Sequence, residues 1–350
     1  MSLLHKIALT LINNVGDVTA KNLLGQFGSA EAVFNATKKD LLEIQGIGEV
    51  TANEILQSSA LKHAESELKF LEKHQIEVMF FGEQNYPRRL MECADAPILL
   101  YYKGTADLNH PRIVSIVGTR RATEYGRYLC RQLAEVLADQ DVLVISGLAY
   151  GIDVAAHKES LNFDIPTIGV LAHGLDRIYP AVHQPLSKQM VLNGGLLTEF
   201  PLKTNPDREN FPKRNRIIAG IADATVVVEA TSKGGALITA DIANSYDRDV
   251  YAFPGRINDQ YSEGCNFLIK TNRAALINHA RDLVYYMGWE SGLPKMVHQI
   301  KLPIDLSAEE VLIINVLKES SFRIDELCIK CGIAQSKLAV HLLNLEMQGI

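Results

Sequence analysis

From residue 112 onward, short β-branched runs alternate with helical patterns, and this alternation restricts the fold more than any other feature of the chain. Helical patterns such as Thr123–Ala138 and Ala236–Tyr246 separate the runs. Strands that alternate with helices indicate an open, mostly parallel sheet with helices on both faces. We therefore predict an α/β region, whose strands are Ile113–Val117, Val142–Ser146, Thr167–Leu171, Leu196–Phe200, Thr225–Glu229 and Val250–Phe253.

Glycines stand at or just after the ends of four predicted strands. They are Gly118, Gly147, Gly174 and the pair Gly234–Gly235. In a parallel sheet the carboxyl ends of the strands meet at one edge, and ligands bind there, where the strand order reverses. Small residues let phosphate groups approach the exposed N–H groups of helix N-termini. We expect a phosphate-bearing ligand at this edge, close to His173, which precedes one of the glycines.

The glycine loops match neither of two common nucleotide-binding patterns. None is a G-x-G-x-x-G turn, and none is a G-x-x-x-x-G-K-[ST] loop. The sequence therefore does not predict a standard dinucleotide site or P-loop site. We therefore expect no cofactor. We also expect no catalytic residue, because His173 has no nucleophile or base that we can pair with it.

Positive charge is concentrated in two clusters that we place at the same edge, although the whole chain is acidic. Lys and Arg number 35 against 41 Asp and Glu, which gives a net charge of −6. One cluster, Phe211-Pro212-Lys213-Arg214-Asn215-Arg216, puts three cations beside an aromatic ring. Such a groove suits a single-stranded nucleic acid, whose phosphates attract cations and whose bases stack on rings. The other cluster sets five arginines against Glu124, namely Arg112, Arg120, Arg121, Arg127 and Arg131.

These residues also have a structural interpretation. Arg214 and Arg216 can instead pair with Asp223, Glu229 or other acids and fix their own helix. Phe211 can stack on a base, or it can close the N-terminus of its helix against the sheet as a hydrophobic staple does.

The first 80 residues show short helical patterns divided by glycines. The segments 14–20 and 45–52, each followed by an apolar helix start, resemble a tandem helix-hairpin-helix. Its tight turn exposes N–H groups at a helix N-terminus, where a DNA phosphate can bind. Alternatively the hairpins only pack helices or bind a partner, because no Lys/Arg cluster accompanies them. Asn14 stands where the first glycine is expected.

The region from Ser307 predicts a helix-turn-helix variant. Lys337 and His341 are the only basic residues that we find on its last helix, so we favour protein contact or structural use over duplex recognition. Cys328 and Cys331 form a single C-x-x-C pair, from which we expect no zinc site. The predicted helices are Glu309–Lys318, Ile324–Lys330 and Gln335–Met347, with Gly332 at the turn and Ile324, Leu327 and Ile333 on one apolar face.

Length and composition limit the remaining possibilities. A chain of 350 residues suggests two to three domains. We divide it into residues 1–80, residues 81–289, a linker over 290–306 and residues 307–350. Five cysteines, odd in number, indicate reduced thiols and a cytoplasmic location. The sequence contains no run of 18 apolar residues, so it predicts no membrane span.

Between about residues 80 and 290 the sequence resembles the DNA processing protein A family, DprA, also called Smf. Six or more motifs occur in the family's order, and Tyr86-Pro87 and Pro97–Gly104 fit upstream of them. The strings that carry the resemblance are Gly118-Thr119-Arg120, Gly147-Leu148-Ala149 with Gly151-Ile152-Asp153, His173-Gly174, Phe211–Gly220, Gly235–Ala240 and Ala252-Phe253-Pro254-Gly255.

The resemblance implies a Rossmann-like, mostly parallel sheet with flanking helices. A small all-α domain of the helix-hairpin-helix or SAM-like type precedes it, and a winged helix follows. We expect this winged helix to lack the two wing strands, because the sequence stops at Gly349-Ile350 before them. We expect a protein that is no enzyme, dimerises through the sheet domain, protects incoming single-stranded DNA in natural transformation and recombination, and loads the RecA recombinase onto it. We assign DNA contact to Gly118, Thr119, Arg120, Arg121, Gly147, His173, Phe211, Lys213, Arg214, Asn215, Arg216, Lys233, Gly234 and Gly235.

One alternative comes from another class of protein. Nucleoside-monophosphate phosphoribohydrolases have the same sheet architecture and a Gly-Gly-x-Gly-Thr-x-x-Glu loop. Here Asp241 falls at the position of the catalytic acid, but Leu237 and Ile238 replace the phosphate-binding Gly-Thr. A nucleotide-sensing module on the same fold is a second alternative.

Overall fold

The structure, a computed structural model, describes residues 2–290, 306–318, 320 and 322–347. Contacts between residues divide the chain into two units, one ending at Ser291 and the other beginning at Gly292. Most of the predicted linker, residues 291–305, lies outside the described residues. The boundaries that we predicted between domains stay predictions.

The first unit contains a nine-stranded sheet with the order β1-β2-β6-β5-β4-β3-β7-β8-β9. The seven strands from β3 to β9 run parallel to one another, whereas β2 pairs antiparallel with both β1 and β6. The strands are β1 (Glu77–Phe80), β2 (Leu99–Gly104), β3 (Ile113–Val117), β4 (Leu143–Ser146), β5 (Thr167–Val170), β6 (Gly194–Thr198), β7 (Ala224–Val227), β8 (Asp249–Ala252) and β9 (Ala275–Leu276).

The mostly parallel sheet confirms the predicted fold class. The six predicted strands all exist, and their observed ends differ from the predicted ones by no more than two residues. Strand β2 was not among the predicted strands. The Tyr101 and Tyr102 side chains of this strand are buried. The strand joins β1 to the parallel strands.

Helices cover both faces of the sheet, which explains why the β3 strand is buried along its whole length. Ile113 and Val117 point into one core, and Val114 and Ile116 point into the other. The helices of this unit are α1 (Leu3–Thr10), α2 (Asp17–Phe27), α3 (Ala30–Phe34), α4 (Lys38–Leu42), α5 (Glu49–Gln57), α6 (Ala60–His74), α7 (Arg88–Met91), α8 (Glu124–Leu137), α9 (Ile152–Asn162), α10 (Gln184–Leu192), α11 (Asn210–Ile221), α12 (Gly235–Ser245), α13 (Glu263–Lys270) and α14 (Ala280–Tyr286).

The N-terminal helices form the predicted helix-hairpin-helix pair. Helix α2 begins directly after Gly16, and α5 begins directly after Gly48. Gly46 has a φ of +90°, and Asn14, at the matching place in the first hairpin, has a φ of +61°. Asparagine tolerates the left-handed region better than most residues, so Asn14 can replace the expected glycine. The apolar side chains of these helices share a core with β1 and β2.

The second unit contains the three predicted helices, α15 (Ala308–Leu317), α16 (Ile324–Cys331) and α17 (Gln335–Met347). Gly332, with a φ of +65°, ends α16 as predicted. Leu327 and Ile333 are buried, but the Ile324 side chain is exposed, so its placement on the apolar face was wrong. His341 of α17 pairs with Glu309, its Nε2 lying 2.7 Å from the carboxylate.

Within the described parts of the chain, no helix has both the length and the apolar character that crossing a membrane requires.

Candidate nucleic-acid interface

A cleft of about 750 Å³ opens beside the carboxyl end of β3. Strand β3 lies between β4 and β7, so the strand order reverses there, at the place where ligands bind in open α/β sheets. Ten of the fourteen residues to which we assigned DNA contact line this cleft. They are Gly118, Thr119, Arg120, Arg121, Phe211, Arg214, Asn215, Lys233, Gly234 and Gly235.

Four exposed cations surround the cleft. Arg120 and Arg121 follow β3, Arg208 precedes α11, and Lys233 precedes α12. Within residues 2–290, none of these four side chains makes a hydrogen bond or an ion pair. Asp153 is the single carboxylate among the described residues that line the cleft, and it is buried. The cleft is therefore electropositive, with side chains available to an anionic ligand.

Arg214, in contrast, is buried and bonded within the protein. Its Nη1 donates to the carbonyl oxygens of Gly147 and Val170, the second at 2.6 Å, and its Nε donates to Asn215 Oδ1 at 3.1 Å. Burial lowers the pKa of the guanidinium to about 10, and the nearby Asp153 carboxylate opposes that fall. Arg214 thus joins the ends of β4 and β5, which makes it a part of the cleft wall.

The glycines at positions 118 and 147 are required by packing around this wall. A Cβ atom on Gly147 would lie 2.3 Å from Arg214 Nη1, and one on Gly118 would lie 2.4 Å from Ile152 Cγ1. A Cβ atom on Gly235 would meet nothing within 4 Å. Of these three glycines, only Gly235 has open space around it. The predicted role of strand-end glycines, which is to let a phosphate approach the backbone N–H groups, therefore fits Gly235 best.

Phe211 lies in the first turn of α11 and belongs to none of the buried apolar clusters of the described chain. Its half-buried ring has the Arg120 guanidinium 5.0 Å from its centroid and the Arg214 guanidinium at 5.8 Å. The Tyr179 ring lies 6.5 Å away. Phe211 therefore stands among cations and aromatic rings at the sheet edge rather than in the core.

A small recess of about 30 Å³ continues from the cleft beneath Phe211. Gly147 and His173 line it, together with Arg120 and Tyr179. Burial lowers the pKa of His173, so the imidazole is neutral at neutral pH. Its Nδ1 lies 2.9 Å from the Gly174 carbonyl oxygen. The structure thus brings these two predicted residues next to the cleft, in a recess that Arg120 and Arg214 also line.

Lys213 and Arg216 do not line the cleft. They face a second cavity of about 670 Å³ between α2 and the sheet edge. Arg216 pairs with Glu199 and with Asp17, whose Oδ2 lies 3.1 Å from Arg216 Nη2. Burial raises the pKa of Glu199 to about 7, although Arg216 opposes the rise. The acids that pair with Arg216 are therefore not Asp223 or Glu229.

Glu229 caps the α8 helix instead. Its carboxylate accepts hydrogen bonds from the Thr123 hydroxyl and from the Thr123 N–H at 3.0 Å, and its carbonyl oxygen accepts from Thr119 N at 2.7 Å. These bonds fix the loop that carries Arg120 and Arg121 against the end of β7.

The prediction that all five arginines of the first cluster lie at this edge of the sheet was wrong. Arg112 donates to the Gln140 carbonyl before β3, and Arg127 and Arg131 lie outside the cleft on α8.

Sequence reasoning missed Arg208, Gln260 and Tyr261, which also line the cleft. Arg208 and Gln260 lie in irregular loops, where no periodicity marks a residue as part of a site. A signal was present for Arg208, because it is a cation three residues before Phe211.

The residues considered for other chemistry lie elsewhere. Asp241 is half-exposed on α12, and its Oδ1 lies 2.6 Å from Arg273 Nη1. It does not line the cleft. All five cysteines are free thiols, and the described residues contain no group of three or more His, Cys, Asp or Glu side chains that could hold a metal ion.

Comparison with known proteins assigns the family. The model of the family described as DNA recombination-mediator protein A matches residues 77–288. The chain belongs to this family. A helix-hairpin-helix model matches residues 7–65, and a DprA winged-helix model matches residues 301–350, which confirms both flanking domain types.

Bacterial relatives support the assignment. Protein Smf of Synechocystis is 37% identical over 289 residues, which cover 81% of this chain and 72% of that protein. Protein Smf of Escherichia coli is 32% identical and covers 82% and 78% of the two chains. The crystal structure of DprA from Streptococcus pneumoniae superposes with a TM-score of 0.72 at 30% identity, covering 81% of this chain and 98% of that chain. DprA from Helicobacter pylori superposes with a TM-score of 0.56 at 28% identity, covering 61% and 95%.

The buried position of Arg214 predicts a large effect on stability. Arg214→Met leaves the Gly147 and Val170 carbonyls without donors and the buried Asp153 carboxylate without its cation, which costs about 3–5 kcal/mol of unfolding free energy. Arg120→Met makes the same chemical change on an exposed arginine and is the matched control. Urea denaturation measures both. Equal, small losses would contradict the structural role of Arg214.

Proposed function

We propose that the cleft binds single-stranded DNA and that the chain binds this DNA without transforming it. The observation that carries the proposal is the set of four unpaired cations, Arg120, Arg121, Arg208 and Lys233, that line one cleft together with the ring of Phe211. Phosphates bind cations of this kind, and an aromatic ring can take an unpaired base on its face. Since Asp153 is the single carboxylate in the described lining and is buried beside Arg214, the cleft offers an anion little repulsion.

The main chain adds a second source of attraction. Helix α12 begins after Gly234, and no side chain caps its first N–H groups. A phosphate near Gly235 would meet these N–H groups and the Lys233 ammonium together. Arg120 and Arg121 line the same cleft from the loop that Glu229 fixes, so a DNA strand in the cleft would meet cations from two loops.

A related protein supports the choice of ligand. The structure of DprA from Helicobacter pylori is described in terms of its single-stranded DNA-binding mode. The single-strand preference has a physical basis here, because a base stacked in a duplex cannot reach the recess beside Phe211 without being unpaired.

We propose the biological role on the basis of the family. The chain protects incoming single strands in natural transformation and loads RecA onto them, acting in the cytoplasm as a homodimer through its sheet domain. The edge strand β9 supports the dimer, since the Leu276 and Phe267 side chains near it are 40% and 45% exposed. Sedimentation of the pure protein tests the dimer, and RecA filament assembly on DNA covered by this protein tests the loading.

Phosphate neutralisation predicts a steep dependence of affinity on salt. With roughly five phosphates bound, the slope of log K against log salt is about −3.5, at about −0.7 for each contact to a single strand. Mobility shifts of single- and double-stranded oligonucleotides of equal length, across a salt series, measure this slope and the preference. A slope near zero, or tighter binding of the duplex, would refute the proposal.

The ring of Phe211 is expected to contribute to affinity and not to stability. Phe211→Ala should weaken DNA binding about tenfold or more, since stacking on one base contributes about 1–3 kcal/mol. The melting temperature should barely change, because the ring lies outside the apolar core. Tyr128→Ala, which removes an exposed ring on α8, is the control and leaves affinity unchanged. A large fall in melting temperature with unaltered affinity would favour the hydrophobic-staple interpretation.

A further inference from the structure

The N-terminal helices contact a segment of the chain that forms part of the cleft wall. Residues 199–216, called the cleft segment below, lead from β6 through an irregular loop into α11. This segment supplies Pro206, Arg208, Phe211 and Arg214 to the cleft. Because residues 199–209 belong to no helix or strand, their position depends on side-chain contacts rather than on a ladder of backbone hydrogen bonds.

One contact lies at the helical end of the cleft segment. Asp17, the first residue of α2, pairs with Arg216, whose guanidinium also pairs with Glu199 at the start of the segment. Arg216 is only 9% exposed, so these charges attract each other with little screening by water. The other oxygen of Asp17 accepts from Ile98 N at 2.8 Å, which fixes the carboxylate.

A second contact lies within the loop. Glu67 of α6 is 7% exposed, and its Oε1 accepts a hydrogen bond from Leu202 N at 2.9 Å. On the sheet side, Asp176 accepts from Lys203 N at 3.0 Å, and Arg177 donates to Asn205 at 2.7 Å. The loop is therefore held between the N-terminal helices and the β5–α10 connection.

We propose that the N-terminal helices brace the cleft segment through Asp17 and Glu67, so that they set the affinity of the cleft for single-stranded DNA without touching the DNA. This inference rests on the proposed function. Asp17 and Glu67 are positioning residues, because they act through Arg208 and Phe211. The acidic character of both contact residues also distinguishes this role from direct phosphate binding by the hairpins.

The test compares variants of the full chain for binding to an oligothymidylate. Asp17→Ala and Glu67→Ala should each weaken binding about fivefold or more. Glu67→Gln keeps an oxygen that accepts from Leu202 N, so it should bind within about twofold of the unaltered protein. Two controls should leave affinity unchanged: Glu65→Ala removes an exposed acid from the same helix, and Glu83→Ala breaks the Lys6–Glu83 pair, which joins α1 to the sheet region away from the cleft segment.

The same substitution made in a Phe211→Ala protein separates a positioning role of Asp17 from other causes of lost affinity. If Asp17 acts through Phe211, then Asp17→Ala should cost clearly less affinity in a Phe211→Ala protein than in the unaltered one. Equal losses in both backgrounds would overturn the proposal, since they indicate direct DNA contact by the hairpin or general destabilisation. If Asp17→Ala fails to fold, Glu67→Ala and Glu67→Gln carry the same comparison.

The outcomes distinguish the two proposals. If Phe211→Ala loses affinity while Asp17→Ala and Glu67→Ala bind normally, the bracing role is refuted and the DNA site stands. If the unaltered protein does not bind the oligonucleotide, the proposed function itself fails.

Discussion

The hydrogen bonds that Arg214 donates to the carbonyl oxygens of Gly147 and Val170 are the interaction on which the candidate site depends. They join the ends of two neighbouring parallel strands, β4 and β5, to helix α11. A guanidinium can make several such bonds at once because its donors lie in one rigid plane. Because Asp153 is buried beside it, the cation is not isolated in an apolar medium. The first turn of α11, and with it Phe211, is thereby fixed at the sheet edge.

The three cations that follow Phe211 have three different environments because helical residues turn by about 100° each. Lys213 is exposed, Arg214 points into the wall, and Arg216 is buried against Glu199 and Asp17. The cations that stay free come mainly from loops at strand ends, where side chains are less constrained by packing. In this family member, the buried arginines hold the cleft together, and the exposed ones give it its charge.

The sequence predicted much of the fold because parallel strands covered on both faces are mostly apolar. In Ile113–Val117, Ser115 is the one polar residue. The sequence did not predict β2. The Tyr101–Gly104 end of this strand lacks the β-branched residues that are typical of strands, and the strand lies between Pro97 and Pro111. At the candidate site, the strand-end loops and the position of Phe211 at a helix start were predictable from local pattern. The burial of Arg214 and the pairing of Arg216 with Asp17, 199 residues away, were not, because they depend on contacts between distant segments.

The central claim is that exposed cations of the cleft bind DNA. The most direct measurement is the affinity for a single-stranded oligonucleotide of Arg120→Ala beside Lys337→Ala, with Arg131→Ala as a control of the same residue type outside the cleft. Arg120 can donate two hydrogen bonds to one phosphate, and it makes none within the described residues. We expect a clear loss of affinity for Arg120→Ala and no change for the other two. Equal losses in all three proteins would contradict the claim and would place the DNA site elsewhere.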